Sequence, residues 1–180
     1  METQGLWQFR IELIDSEPPI WRTFQVPSNL TLADFHTIIQ LVMGWQNSHS
    51  YYFELGDRYG SPDLPDTQDP TRLILSQMNL SPEEKFIYMY DLKSGWLHRL
   101  VLTETRSQTL TEPIVCLDGA LACPPEGSNG VWGYEELLDR LADPDEPDYE
   151  ALLEWVGLDF DPGYFKVEEV NQRLQEAFLS

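Results

Sequence analysis

The sequence predicts an α+β fold: an antiparallel or mixed sheet, roll-like, with one crossing helix and a C-terminal helical cover. Three observations point there. Apolar and polar residues alternate with period two near the N-terminus and again from about residue 85 to 105. A capped segment of helical period interrupts the strands at 31–44, and three more helical segments follow one another after residue 133. The 180 residues are read as a single domain, with a sheet-rich part (1–110), a connecting loop (111–133) and an acidic helical part (134–180).

LWQFRIELI (6–14) places Trp7, Phe9, Ile11 and Leu13 on one face of a half-buried strand. After the turn SEPP, IWRTFQV puts Ile20, Phe24 and Val26 on one side, with Pro18 and Pro19 at the entry, where proline is tolerated. TLADFHTIIQLVMG reads as a helix capped by Thr31, with Asp34 in its first turn, a stripe of Leu32, Phe35, Ile39 and Val42, and Gly44 as its stop. SYYFEL is a short strand ending at Gly56-Asp57, and GSPDLPDTQDP is a loop. KFIYMYDL and WLHRLVLTET form a hairpin closed near Lys93-Ser94-Gly95, with Leu92 opposite Trp96, Tyr90 opposite His98, Tyr88 opposite Leu100 and Phe86 opposite Leu102. GYEELLDRLAD, DEPDYEALLEWVG (with Pro147 in its first turn) and VEEVNQRLQEAFL complete the chain as helices.

The formal net charge is −20. Residues 134–180 alone carry 14 acidic side chains against Arg140, Lys166 and Arg173. Such a surface repels phosphate backbones, so direct nucleic-acid binding is not expected. The N-terminus METQGLWQF has no basic stretch followed by an apolar one, and no apolar run approaches a membrane span. With only two cysteines, the expectation is a cytoplasmic protein without membrane association.

PPIWRTFQVPSNLTLADFH, GWQNSH, FIYMYD, Trp96-x-His98 and CLDGALACPPEGSNGVWGYEELL together resemble the root-inducing (Ri) plasmid ORF-three-like family over nearly the whole chain. The resemblance implies an α+β roll with C-terminal helices and no defined activity. Descriptions attached to some relatives imply an accessory role in DNA transactions, which for so acidic a chain means acting through a protein partner. Family patterns have a second histidine where this chain has Tyr51, an aspartate where it has Ser94, and an aspartate where it has Gly127. Any polar site those residues form in relatives is reduced here.

Cys116 and Cys123 with His49 and His98 form an alternative zinc set, but C-x₆-C is wider than a zinc knuckle and the histidines fall on separate strands. Both cysteines are therefore expected to be reduced and free of metal, and no cofactor is implied. GSNGVWG lacks the lysine of a phosphate-binding loop, and no G-x-S-x-G nucleophile elbow occurs. An alternative enzyme reading, a metal-assisted hydrolase, draws on His49, Asp91, His98 and Cys116. The favoured site is an aromatic face of His49, Tyr51, Tyr88, Tyr90, Trp96 and His98, whose phenol, indole and imidazole groups suit a small ligand or a partner loop. The favoured function is a binding or protein-interaction domain without catalysis. Random duplex DNA is expected not to bind at ordinary salt. Micromolar, salt-sensitive affinity in an anisotropy titration would contradict the electrostatic argument.

Overall fold

The computed structural model describes residues 4–108 and 114–178. Eight strands form one sheet: β1 (Gln4–Leu13), β2 (Trp21–Pro27), β3 (Tyr51–Leu55), β4 (Asp57–Gly60), β5 (Thr67–Gln68), β6 (Lys85–Tyr90), β7 (Trp96–Gln108) and β8 (Val115–Ala120). Their order is β5-β4-β3-β6-β7-β1-β2-β8. All neighbours run antiparallel except β4 and β5, so the sheet is mixed. Four helices accompany it: α1 (Leu32–Met43), α2 (Gly130–Leu141), α3 (Tyr149–Val156) and α4 (Val167–Phe178). The α+β class predicted from periodicity is the observed one.

α1 is the crossing helix. Thr31 accepts a hydrogen bond from the Asp34 backbone at 3.1 Å, and Gly44 stops the helix in the left-handed region at φ 112°. Leu32, Phe35, Ile38, Ile39 and Val42 are fully buried against the sheet, each burial contributing roughly 1.5–3 kcal/mol. Phe35 meets Phe9 of β1, Phe24 of β2 and Phe53 of β3 at ring-centroid distances of 4.9, 5.9 and 5.7 Å. The helix therefore spans the sheet from β2 to β3 along one aromatic row.

Several elements depart from the sequence reading. The hairpin pairs Tyr90 with Trp96, Tyr88 with His98 and Phe86 with Leu100, two residues from the expected register. Its loop is the longer stretch Asp91–Gly95, in which both end residues have positive φ and the Gly95 N–H donates to the Asp91 carbonyl at 2.7 Å. A shift of two preserves which side chains share a face, because the strand period is two. The stretch 111–133, expected as connecting loop, contains the edge strand β8 and the start of α2; residues 109–113 lie outside the described residues. β4 and β5 likewise stand where the sequence predicts a turn and a loop, and α3 begins at Tyr149, after Pro147 rather than around it.

The C-terminal cover does not lie over the hairpin face. α1 does, while α4 packs against β8 and α1. The Asn171 side chain accepts from the Cys116 N–H at 2.7 Å and donates to the Cys116 carbonyl at 2.9 Å, occupying part of the outer edge of β8.

Two polar residues on the buried side of α1, His36 and Gln40, join a closed circuit. Gln40 Nε2 donates to the Tyr88 hydroxyl (2.8 Å), which donates to His36 Nδ1 (2.6 Å). His36 Nε2 donates to Asn47 Oδ1 (2.7 Å), and the Asn47 N–H returns to Gln40 Oε1 (2.8 Å). Asn47 has φ 52°, so the circuit also holds the turn that follows α1. Tyr88→Phe keeps the ring but strands His36 Nδ1 and Gln40 Nε2, and is expected to cost about 2–4 kcal/mol in urea denaturation. A loss under about 0.5 kcal/mol would mean that the circuit contributes nothing to stability.

Candidate functional site

The six aromatic-face residues are brought together, but most of that face is packed core. Tyr88, Tyr90, Trp96 and His98 are fully buried, and Tyr51 is buried with its ring stacked on His36 at 3.5 Å. Trp45, just after α1, fills the space between Tyr90, Trp96 and His98. Trp45 Nε1 donates to His98 Nε2 at 3.1 Å, which leaves the ring proton on Nδ1, 3.2 Å from the Tyr88 carbonyl. His98 is a satisfied core histidine in a fixed neutral tautomer.

His98 therefore has no nitrogen available to a metal, and the set His49, His98, Cys116 and Cys123 does not converge. Cys116 sits in β8, its thiol 3.6 Å from the Thr23 and Asp118 carbonyls. Cys123 packs against Gly44, and both cysteines are free thiols. Burial raises the Cys116 pKa to about 11 and pushes that of Cys123 up further, so neither is an activated nucleophile. The enzyme set of His49, Asp91, His98 and Cys116 is broken for the same reasons, although His49 and Asp91 do meet. Among the described residues no group of three or more His, Cys, Asp or Glu is disposed to hold a metal ion.

What reaches the surface is the mouth of this aromatic stack. The His49 side chain is 42% exposed, and its Nε2 lies 3.4 Å from Glu126 Oε2 and 3.8 Å from Asp91 Oδ2. Those carboxylates are only 11% and 8% exposed. Glu126 Oε1 accepts from the Tyr90 hydroxyl at 2.8 Å and the Gln46 N–H at 2.9 Å, while the Ser48 N–H donates to the Tyr90 hydroxyl at 3.0 Å. Glu126 Oε2 is shielded from solvent and receives no hydrogen bond. Beside His49 an open depression is lined by residues 47–50 and 61–63, where Ser50 donates to Asp63 at 2.6 Å.

Three parts of the chain build the mouth. The post-α1 turn brings His49, held by the Asn47 circuit. The hairpin loop brings Asp91, packed so closely on the N-terminus of α2 that a Cβ on Gly130 would stand 2.5 Å from the Ser94 carbonyl. The Pro124-Pro125 segment after β8 brings Glu126. Spacing alone did not single out Glu126 or Asp91, since the chain has 31 acidic residues and their meeting is long-range. His36, Gln40 and Trp45 were also missed. The signal for the first two was present: polar residues four apart beside the apolar stripe of an amphipathic helix.

Burial sets the proton states behind the mouth. Desolvation raises the pKa of Tyr51 and Tyr90 to about 12 and that of Tyr88 further, so all three phenols stay neutral. Burial lowers His36 and His98 to about 4. The unfolded chain takes up these protons near pH 6.5, about where an unperturbed histidine titrates. Between about pH 6.5 and 4 it therefore binds more protons than the folded one, and stability falls as pH drops through that window. The loss is on the order of 3 kcal/mol per histidine. Imidazole ¹⁵N spectra near pH 5 are expected to show neutral rings, with the proton on Nε2 in His36 and on Nδ1 in His98. A midpoint near pH 6.5 for either would overturn the assignment.

Known proteins share this fold over nearly the whole chain. A family model described as plasmid pRiA4b ORF-3-like protein matches residues 6–169. An uncharacterized protein, y4hQ, of Sinorhizobium fredii (strain NBRC 101917 / NGR234) is 31% identical over 175 residues, covering 94% of this chain and 90% of its own. The crystal structure of a protein of unknown function from Methanosarcina mazei Go1, MM3350, superposes with a TM-score of 0.85 at 31% identity, covering 92% of this chain and 97% of that one. With matching that spans the strands, the crossing helix and the residues of the mouth, the chain belongs to the plasmid pRiA4b ORF-3-like family.

Proposed function

We propose that the chain is a non-catalytic binding domain that receives a cationic group, a lysine or arginine side chain of a protein partner, at the mouth formed by His49, Asp91 and Glu126. The observation that carries this is Glu126 Oε2, withdrawn from solvent without a hydrogen-bond donor and set beside a second buried carboxylate. A buried carboxylate oxygen without a donor is costly, and an ammonium or guanidinium group supplies the missing hydrogen bonds. His49 Nε2 offers both carboxylates only longer charge contacts and stands where an entering cation would replace it. The net charge of −20 favours encounter with a basic partner over long range. Within the aromatic face, Tyr51, Tyr88, Trp96 and His98 support the site from behind, and Tyr90 touches it through its hydroxyl.

The test uses N-acetyl-arginine amide and N-acetyl-lysine amide as probes, with N-acetyl-norleucine amide as the neutral control, followed by amide chemical shifts. Saturable shifts at Gln46, Ser48 and His49 with either cationic probe are expected. Asp91→Asn and Glu126→Gln keep the side-chain shapes and should weaken binding at least about tenfold each. Equal responses to the neutral control, or unaltered binding by both variants, would refute the reading.

A further inference from the structure

Arg22 occupies a core position. It pairs with Ile11 between Ile20 and Phe24 in the inward-facing row of β2, and it is only 2% exposed. A buried guanidinium is usually matched by a carboxylate. Here the chain has 31 acidic residues, yet Arg22 makes no ion pair among the described residues. Its donors go to backbone carbonyls: Nε to Val42 (3.0 Å), Nη1 to Trp21 (2.8 Å) and Ala120 (3.0 Å), Nη2 to Met43 (3.3 Å). Of the five N–H groups of a guanidinium, one on Nη2 is left over. Burial lowers its pKa to about 10, so it remains a cation at neutral pH.

Arg22 forms the floor of a cavity of about 160 Å³ between the end of α1, the segment before α4 and α4 itself. Lys166 and Arg173 also line it and are exposed at its mouth. Arg173 spends Nε and one Nη2 hydrogen on the Leu41 carbonyl, and neither Arg173 nor Lys166 forms an ion pair among the described residues. The one acid in the lining, Glu169, already accepts from the Tyr164 hydroxyl. Three of the eleven cationic side chains of a strongly acidic protein thus surround one small cavity with a surplus of two positive charges. The C-terminal carbonyls of α1 offset only about half an elementary charge.

We propose that this cavity is a binding site for a small oxyanion, a phosphate or carboxylate group. Arg22 would bind it from below through its unspent Nη2 hydrogen, and Lys166 and Arg173 would close over it. The volume is well below the roughly 300 Å³ of sites for drug-sized molecules, which fits an isolated anionic group. Cys123 lines the same cavity, but its raised pKa keeps it a thiol and leaves the site to binding. The site shares no lining residue with the mouth at His49, is of opposite charge, and stands or falls independently of the reading given for that mouth.

The experiment is thermal denaturation of the full chain titrated with sodium phosphate, sodium succinate or sodium chloride at matched ionic strength. Chloride corrects for screening of the −20 charge. Phosphate or succinate should raise Tm saturably above the chloride curve, by about 5 °C at a hundredfold excess over Kd. The stronger of the two identifies the anion class. Lys166→Glu and Arg173→Glu, both at exposed positions, should remove the excess shift while each variant still unfolds cooperatively. Coincident curves for all three salts, or an undiminished shift in both variants, would overturn the proposal.

Discussion

The buried circuit from Gln40 through Tyr88, His36 and Asn47 back to Gln40 is the interaction on which the rest of the structure depends. α1 lies on the aromatic face of the sheet with most of the polar groups trapped there paired, the buried Trp96 Nε1 being the one on that face without a partner among the described residues. Each of these four finds its partners within the circuit, and the Tyr88 hydroxyl serves as both donor and acceptor. The same bonds fix the turn after α1, and that turn carries Trp45 into the core and His49 to its mouth. Packing and site geometry are one event here.

Around the C-terminal end of α1, buried charge is handled in two different ways. Near the turn that follows it, Glu126 ties the Gln46 backbone and the Tyr90 hydroxyl together through one oxygen and leaves the other without a donor. At its C-terminal carbonyls, Arg22 and Arg173 take up backbone oxygens and form no ion pair with a carboxylate among the described residues. The first arrangement lacks a cation and the second lacks an anion. Neither lack is explained by the fold alone, since α1 could be ended by Gly44 and packed by its apolar stripe without them.

The acidic C-terminal helices contribute unequally. α4 buries Val170 and Leu174 and supplies Asn171 to the edge of β8, whereas α3 has no fully buried residue. Trp132 of α2 is 76% exposed, and Trp155 of α3 and the following Leu158 are exposed as well. The polar periphery of the molecule therefore carries aromatic side chains beside its negative charge. No helix among the described residues is long and apolar enough to cross a membrane.

The sequence by itself determined whatever depends on local periodicity and local chemistry. The helix from Leu32 to Met43, its Thr31 cap and Gly44 stop, the strands around Phe9, Tyr88 and Leu100, and the sharing of one face by Tyr90, Trp96 and His98 follow from spacings of two and 3.6 residues. The hairpin register did not, because a two-residue slip leaves every side chain on its own face and only the loop conformation distinguishes the alternatives. β4, β5 and β8 are not legible in the sequence because short strands at or next to a sheet edge are defined by the neighbour they pair with rather than by an apolar pattern of their own. Whether His98 would be a ligand or a core residue was decided by Trp45, more than fifty positions away, whose indole N–H takes its second nitrogen. The candidate sites were decided the same way. Asp91 and Glu126 come together at His49, and Arg22 and Arg173 line one cavity, across distances in sequence that no motif spans, and burial then turned ordinary side chains into unusual ones.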